Sequence, residues 1–213
     1  MELSSDLRRQ AGGKEADRRL RRWGGTMCNN YRLHVPANQL AAPFADIGRT
    51  LALPGGLPNL EAADYRIGDR APVVLAGEGG PRLVMLPWAW QGPTGKPVFN
   101  FRSEGRSFTG STRCLIPADA FYEFTEPTIA GKKTKWRFTL IDQPWFWIAG
   151  VVKDGAFAML TTEPGPDVAH YHDRQMVVLP PRAGVHWLDL SAPEDLMLRP
   201  SALGSFSVER IYP

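Results

Sequence analysis

A chain of 213 residues with 43% hydrophobic content suits one globular domain with a sizeable core, and its 21 glycines and 19 prolines imply many turns. Residues 1–26 hold seven basic and four acidic side chains, a net +3 that accounts for the whole chain's excess, so the other 18 basic and 18 acidic residues cancel. That balance excludes a domain that is basic throughout and leaves only a local patch for any nucleic acid.

The arginine-rich stretch 1–26 has almost no large apolar residues. A solvated helix over Glu15 to Arg22 would have no apolar face to dock. The stretch reads either as a tail that is cleaved or stays disordered, or as lying ahead of a true start at Met27, which is the favoured reading. Helical spacing of Leu40, Phe44 and Ile47 predicts a helix over 36–47 that stops at Gly48. The prolines and glycines of 51–60 predict a loop. Short strands are expected at 64–67, 72–76, 82–86, 113–116, 120–125, 135–141, 146–152, 156–161, 175–179 and 185–188. The most apolar run, Trp145 to Val152, is far too short to span a bilayer. A short helix is expected over 193–198. Many short strands and few helices give an α+β, mainly β fold, expected as a closed or barrel-like sheet with small helices outside it. No charged-then-apolar signal opens the sequence, so a cytoplasmic protein is expected. A reducing cytosol argues against a disulfide between Cys28 and Cys114.

The chemistry starts at Met27-Cys28. Loss of Met27 would leave Cys28 with a free α-amine (pKa about 7.7–8.0) beside a thiol (about 8.5), both partly reactive at neutral pH. Such an aminothiol condenses with an aldehyde to an imine, and the thiol then closes a thiazolidine ring. The plainer alternative makes Cys28 a small buried hydrophobe. Further along, Asn100 and Arg102 sit two apart on an extended stretch and so share a face. Glu123 lies inside the aromatic run Phe121-Tyr122-Glu123-Phe124, where desolvation would raise its pKa toward that of a neutral-pH proton shuttle. His172-Asp173-Arg174 sets an imidazole beside a cation. Taken singly, Glu123 could be a solvent-face strand residue, Asn100 a turn cap, and the histidine stretch a surface ion-pair turn. His170 and His172 lack metal-ligand spacing with any cysteine, so neither metal nor cofactor is expected.

Taken in order, Met27-Cys28, Asn100-x-Arg102-Ser103-Glu104, Arg113-Cys114-Leu115-Ile116-Pro117-Ala118 through Phe121-Tyr122-Glu123, Leu160-Thr161-Thr162 and His172-Asp173-Arg174 resemble the SOS-response-associated peptidase (SRAP) family. The likeness runs from Met27 to about Trp187 and is most specific over Arg113 to Glu123. The resemblance implies a sensor of abasic sites in single-stranded DNA, which loses the residues ahead of Cys28 and crosslinks to the opened sugar; a monomer associated with the nucleoid is expected. It makes Cys28 the crosslinking residue, Asn100 the group that orients its amine, Glu123 the proton shuttle and His172 the helper in sugar opening. Arg102 and Arg174 would hold phosphates, with Arg113 and Thr161 also on the DNA, while exposed Trp88 and Trp90 would stack on bases. The chain departs from the family pattern at Asn29-Asn30, at Val84 to Trp88 and at Gln175-Met176. Two other classes stay open: a cysteine hydrolase using Cys28, His172 and Asn100, and a non-catalytic DNA-binding module.

Overall fold

The computed structural model describes residues 28–56, 60, 62–129 and 131–212. The extension 1–26, with its expected helix, lies outside the described residues, as does part of the 51–60 loop. The strands are β1 (Asn30–Leu33), β2 (Ala63–Arg66), β3 (Arg70–Leu75), β4 (Arg82–Pro87), β5 (Trp90–Gln91), β6 (Pro97–Val98), β7 (Asn100–Arg102) and β8 (Thr112–Ala118), followed by β9 (Ala120–Ile129), β10 (Lys132–Leu140), β11 (Phe146–Lys153), β12 (Ala156–Thr162), β13 (Gln175–Met176), β14 (Val178–Leu179) and β15 (Phe206–Tyr212). The helices are α1 (Ala37–Ala45), α2 (Pro181–Asp189) and α3 (Glu194–Met197).

The mainly β expectation holds, but the strands form two large open sheets and a two-stranded β5-β6 ribbon rather than one closed ring. The first runs β15-β10-β9-β1-β2 and the second β13-β12-β11-β8-β3-β4, with β14 on β11 and β7 on β12. Pairing is antiparallel except for β7, which runs parallel to β12. The second sheet is buried on both faces, and its sequence shows why. Along β8, Cys114 and Ile116 pack in one cluster with Tyr31, Phe121, Phe138 and Phe206 of the first sheet. Leu115, between them, points the other way to join Leu40 and Phe44 of α1 and Val185 and Trp187 of α2. A strand covered on both faces needs an unbroken apolar run, whereas a half-exposed strand alternates.

Residues 185–188 form part of helix α2 instead of the expected strand. Pro180 and Pro181 fix the backbone angle that begins a helix, and Gly184, Val185, Trp187 and Leu188 bury one helical stripe. The helix docks closely because Gly184 has no side chain: a Cβ there would stand 2.2 Å from Cδ1 of Trp147.

Candidate active site

The register of β1 on β9 creates the site. Tyr31 pairs with Phe121 and Arg32 with Ala120, so the chain entering β1 from Cys28 runs beside Tyr122 to Phe124. Cys28 is fully buried. Its backbone N–H donates to the Glu123 carboxylate, its Sγ donates to the Asn30 carbonyl at 3.3 Å, and its own carbonyl accepts from Nδ2 of Asn100 at 3.2 Å. Two side chains 23 positions apart in sequence therefore hold the backbone of one residue from both sides. Among the described residues, Oε2 of Glu123 and Oδ1 of Asn100 are buried without a hydrogen-bond partner. Unsatisfied buried acceptors are costly and mark places where a further donor is received.

Glu123 is 2% exposed. Burial pushes its carboxyl well above the ordinary value, the Cys28 N–H pulls it back, and the Asp173 charge adds to the rise. The folded protein thus keeps a proton that the unfolded chain releases, and this contribution to stability is lost as pH rises. Between the ordinary value of 4.5 and the raised one, a single such group lowers stability by up to about 1.4 kcal/mol per pH unit. Thermal melts of the wild type and Glu123→Gln should therefore diverge as pH rises above this value, with the variant gaining on the wild type. Parallel pH profiles would show that Glu123 ionises normally. Burial likewise pushes the Cys28 thiol far up, with the Glu123 charge acting in the same direction, so the sulfur is held as S–H.

His172 is 4% exposed. Its Nδ1 lies 3.0 Å from the Arg174 backbone N–H and 3.0 Å from Oδ1 of Asp173. The neutral ring accepts the amide there, whereas the protonated ring donates to the carboxylate, so both states have a partner in place. The loop that carries His172 is anchored at Gly165, whose N–H donates to Oε1 of Gln175 at 2.9 Å. Arg174 continues the anchoring. Its guanidinium grips Glu104 through two bonds of 2.5 and 2.7 Å and donates to the carbonyl and hydroxyl of Thr161 at 2.9 and 3.1 Å.

These contacts correct several expectations. Arg174 and Thr161, expected on the DNA, are buried and bonded to each other, and Arg174 is also paired with Glu104, so they tie the histidine loop to β7 and β12. Arg113 is buried, donating to the Phe108 and Trp187 carbonyls at 3.1 and 3.0 Å with its guanidinium over the Trp187 ring. It pins α2 from a buried position instead of the expected place on the DNA surface. Trp88 is fully buried, stacked 6.2 Å from Phe157 with its indole N–H donating to the Phe99 carbonyl. Trp90 is 8% exposed and packs on Phe101. Between them Ala89 has φ 114°, a turn of the backbone that sends the two tryptophans into different cores. Neither is the exposed ring that the sequence suggested. Arg102, at the end of β7, is exposed. Two residues given no role by the sequence act on the site: Asp173, whose charge acts on Glu123, and Lys135, whose charge acts on the Cys28 thiol. Cys28 and Cys114 are both free thiols. Among the described residues no helix is long and apolar enough to cross a membrane, and no group of three or more His, Cys, Asp or Glu side chains is placed to hold a metal ion.

A family model described as SOS response associated peptidase (SRAP) matches residues 27–211. Solved structures are similar at low identity. A protein from Bordetella bronchiseptica is 22% identical, covering 87% of this chain and 100% of its own, with a TM-score of 0.66. A protein from Bacteroides thetaiotaomicron is 18% identical over 87% of this chain and 92% of its own, at 0.64. A phage-related protein from Bordetella bronchiseptica is 20% identical over 87% and 95%, at 0.60. At these identities the likeness speaks for the fold. No curated protein matches the chain.

Proposed function

Because the chain belongs to the SOS response associated peptidase family, we propose that it loses the residues ahead of Cys28 and then crosslinks through Cys28 to abasic sites in single-stranded DNA. The domain in this reading spans 27–213, and removal of Met27 gives the functional unit. One observation carries it: the site is built around the backbone nitrogen of Cys28, which lies against the buried carboxyl of Glu123, while Asn100 holds the adjoining carbonyl. A site meant only for a thiolate has no use for that nitrogen.

The chemistry follows from the protonation states. Hydrolysis of the Met27–Cys28 bond consumes one water, and a neutral Glu123 can give its proton to the departing nitrogen. The carboxylate left behind then takes a proton from the new α-ammonium, leaving the neutral amine that imine formation requires. At an abasic site the sugar ring opens by moving the anomeric hydroxyl proton to the ring oxygen, a transfer assigned to His172. The amine adds to the freed aldehyde, and water leaves with a proton from Glu123. The thiol then adds to the imine carbon, forming the C–S bond, and its proton passes to the nitrogen. Arg102, exposed beside Asn100, is the cation assigned to a neighbouring phosphate.

The Cys-His-Asn hydrolase is disfavoured by the same contacts. Asn100 donates to the Cys28 carbonyl instead of orienting an imidazole, and the thiol pKa is raised where a hydrolase needs it lowered. Acetylating the mature N-terminus separates the two readings. It should abolish the heat-stable DNA adduct completely, whereas a thiolate hydrolase would keep working.

A further inference from the structure

The outer face of the first sheet carries a cleft that none of the chemistry above uses. Its volume is about 370 Å³, and Asn29, Asn30, Arg66, Phe124, Lys135 and Tyr212 line it. Its floor begins one residue beyond Cys28. Strand register puts the lining side chains together: Asn30 pairs with Arg66, and Lys135 pairs with Phe124 on one side and Tyr212 on the other. Directly opposed residues in an antiparallel pair point to the same face.

The charges on this face are unevenly matched. Arg32 is paired with Asp119 at 2.7 Å, and Arg137 with Glu209. Among the described residues, Lys135 has only Asp64, 3.9 Å away, and Arg66 forms no ion pair. The Lys135 side chain is just 13% exposed, with Nζ 3.7 Å above the Tyr122 ring. Its ammonium is therefore held in place at the cleft instead of sweeping through solvent, and it has already lost much of its hydration. Arg66 lies near enough for its charge to act on Lys135. The excess positive charge of this face is thus concentrated at the cleft, between an aromatic ring on one wall and another, half-exposed, at the rim. One held and one exposed cation beside flat apolar walls and a floor of amides match a phosphate joined to a base.

We propose that this cleft is a nucleotide subsite. It seats the nucleotide next to the abasic residue in single-stranded DNA, with Lys135 and Arg66 on the connecting phosphate and Phe124 and Tyr212 against the base. The inference rests on the crosslinking reading, because it takes its strand direction from a lesion held at Cys28. It goes beyond that reading in assigning a binding role to residues outside the reacting set.

The test uses a single-stranded oligonucleotide carrying a tetrahydrofuran abasic analogue, which has no aldehyde and reports non-covalent binding alone. Anisotropy titrations over a range of salt would compare the wild type with Lys135→Met, Arg66→Gln and the double variant. Each lost phosphate contact should weaken binding on the order of tenfold and flatten the dependence of log affinity on log salt by roughly 0.7. Lys135→Arg should restore both. If Lys135→Met fails to fold, the exposed Arg66→Gln carries the test by itself. An unchanged slope in a folded double variant overturns the subsite. So does a Lys135→Met protein that binds DNA normally and only retains the residues ahead of Cys28, since the cleft would then serve that segment. A parallel incubation with a true abasic oligonucleotide keeps the two ideas apart. No adduct in the wild type, with salt slopes that still respond to Lys135 and Arg66, removes the crosslinking reading and keeps the cleft as a phosphate site. An adduct with unresponsive slopes removes the cleft alone.

Discussion

Cys28→Ser should convert a heat-stable DNA adduct into a reversible one. Serine preserves the α-amine and occupies nearly the same volume, and its hydroxyl can donate to the Asn30 carbonyl that the thiol uses at 3.3 Å, so the buried position is little disturbed. The amine still condenses with the sugar aldehyde. The hydroxyl, a far weaker nucleophile than a thiol at neutral pH, does not close the ring at a useful rate. Without reductant, the heat-stable adduct should fall on the order of 100-fold or more, comparable to the loss of other catalytic groups. Borohydride should rescue it by reducing the imine to an amine. This pattern, lost when untreated and regained when reduced, is specific to an imine-then-thiol sequence. A heat-stable adduct from the serine variant without reductant would remove the thiol from the mechanism.

Glu123→Gln should slow crosslinking by roughly 10²–10⁴-fold, the usual contribution of one positioned acid–base group. The amide is close in size and its carbonyl oxygen can still accept the Cys28 N–H, so the geometry around Cys28 survives. It cannot take a proton from an ammonium or return one to a departing water. The loss should therefore fall on the rate of adduct formation, with the tetrahydrofuran oligonucleotide still bound. Time courses that match the wild type would strip Glu123 of the proton-transfer role. The same variant should accumulate chain that retains the residues ahead of Cys28, because both steps draw on the same carboxyl.

Much of the fold was legible because the strands of the second sheet are apolar on both faces. Runs such as Phe146 to Val152 can hardly be read otherwise once Gly and Pro bound them. The errors have local causes. Residues 185–188 look like a strand as Val-His-Trp-Leu, yet two prolines upstream start a helix and Gly184 lets it sit on Trp147. β15 escaped notice because a register shift opposite Lys135 and Trp136 skips Ile211, and an extra residue breaks the alternation that signals a strand.

The sequence grouped Cys28, Asn100 and Glu123, which the structure brings together, but not their arrangement. Nothing in the spacing shows that Glu123 meets the nitrogen of Cys28 rather than its sulfur, since only the β1–β9 register decides it. Arg174 and Arg113 looked like phosphate ligands because a sequence does not show that Glu104 and the Phe108 and Trp187 carbonyls already occupy them. Trp88 and Trp90 would share one face of a regular strand, and the positive φ of Ala89 separates them. Lys135 had a signal that could have been used. It lies in Lys135-Trp136-Arg137-Phe138, where polar and apolar residues alternate and the cations fall on one face.

The most direct test of the central claim is the intact mass of the protein purified from its native host, taken before and after incubation with an abasic single-stranded oligonucleotide. The account predicts a chain that begins at Cys28. It also predicts a heat-stable product whose mass is the sum of protein and oligonucleotide less one water, as thiazolidine formation requires. A chain that keeps Met27 and the residues before it yet still forms that product, or a chain that begins at Cys28 and forms none, would contradict the aminothiol mechanism.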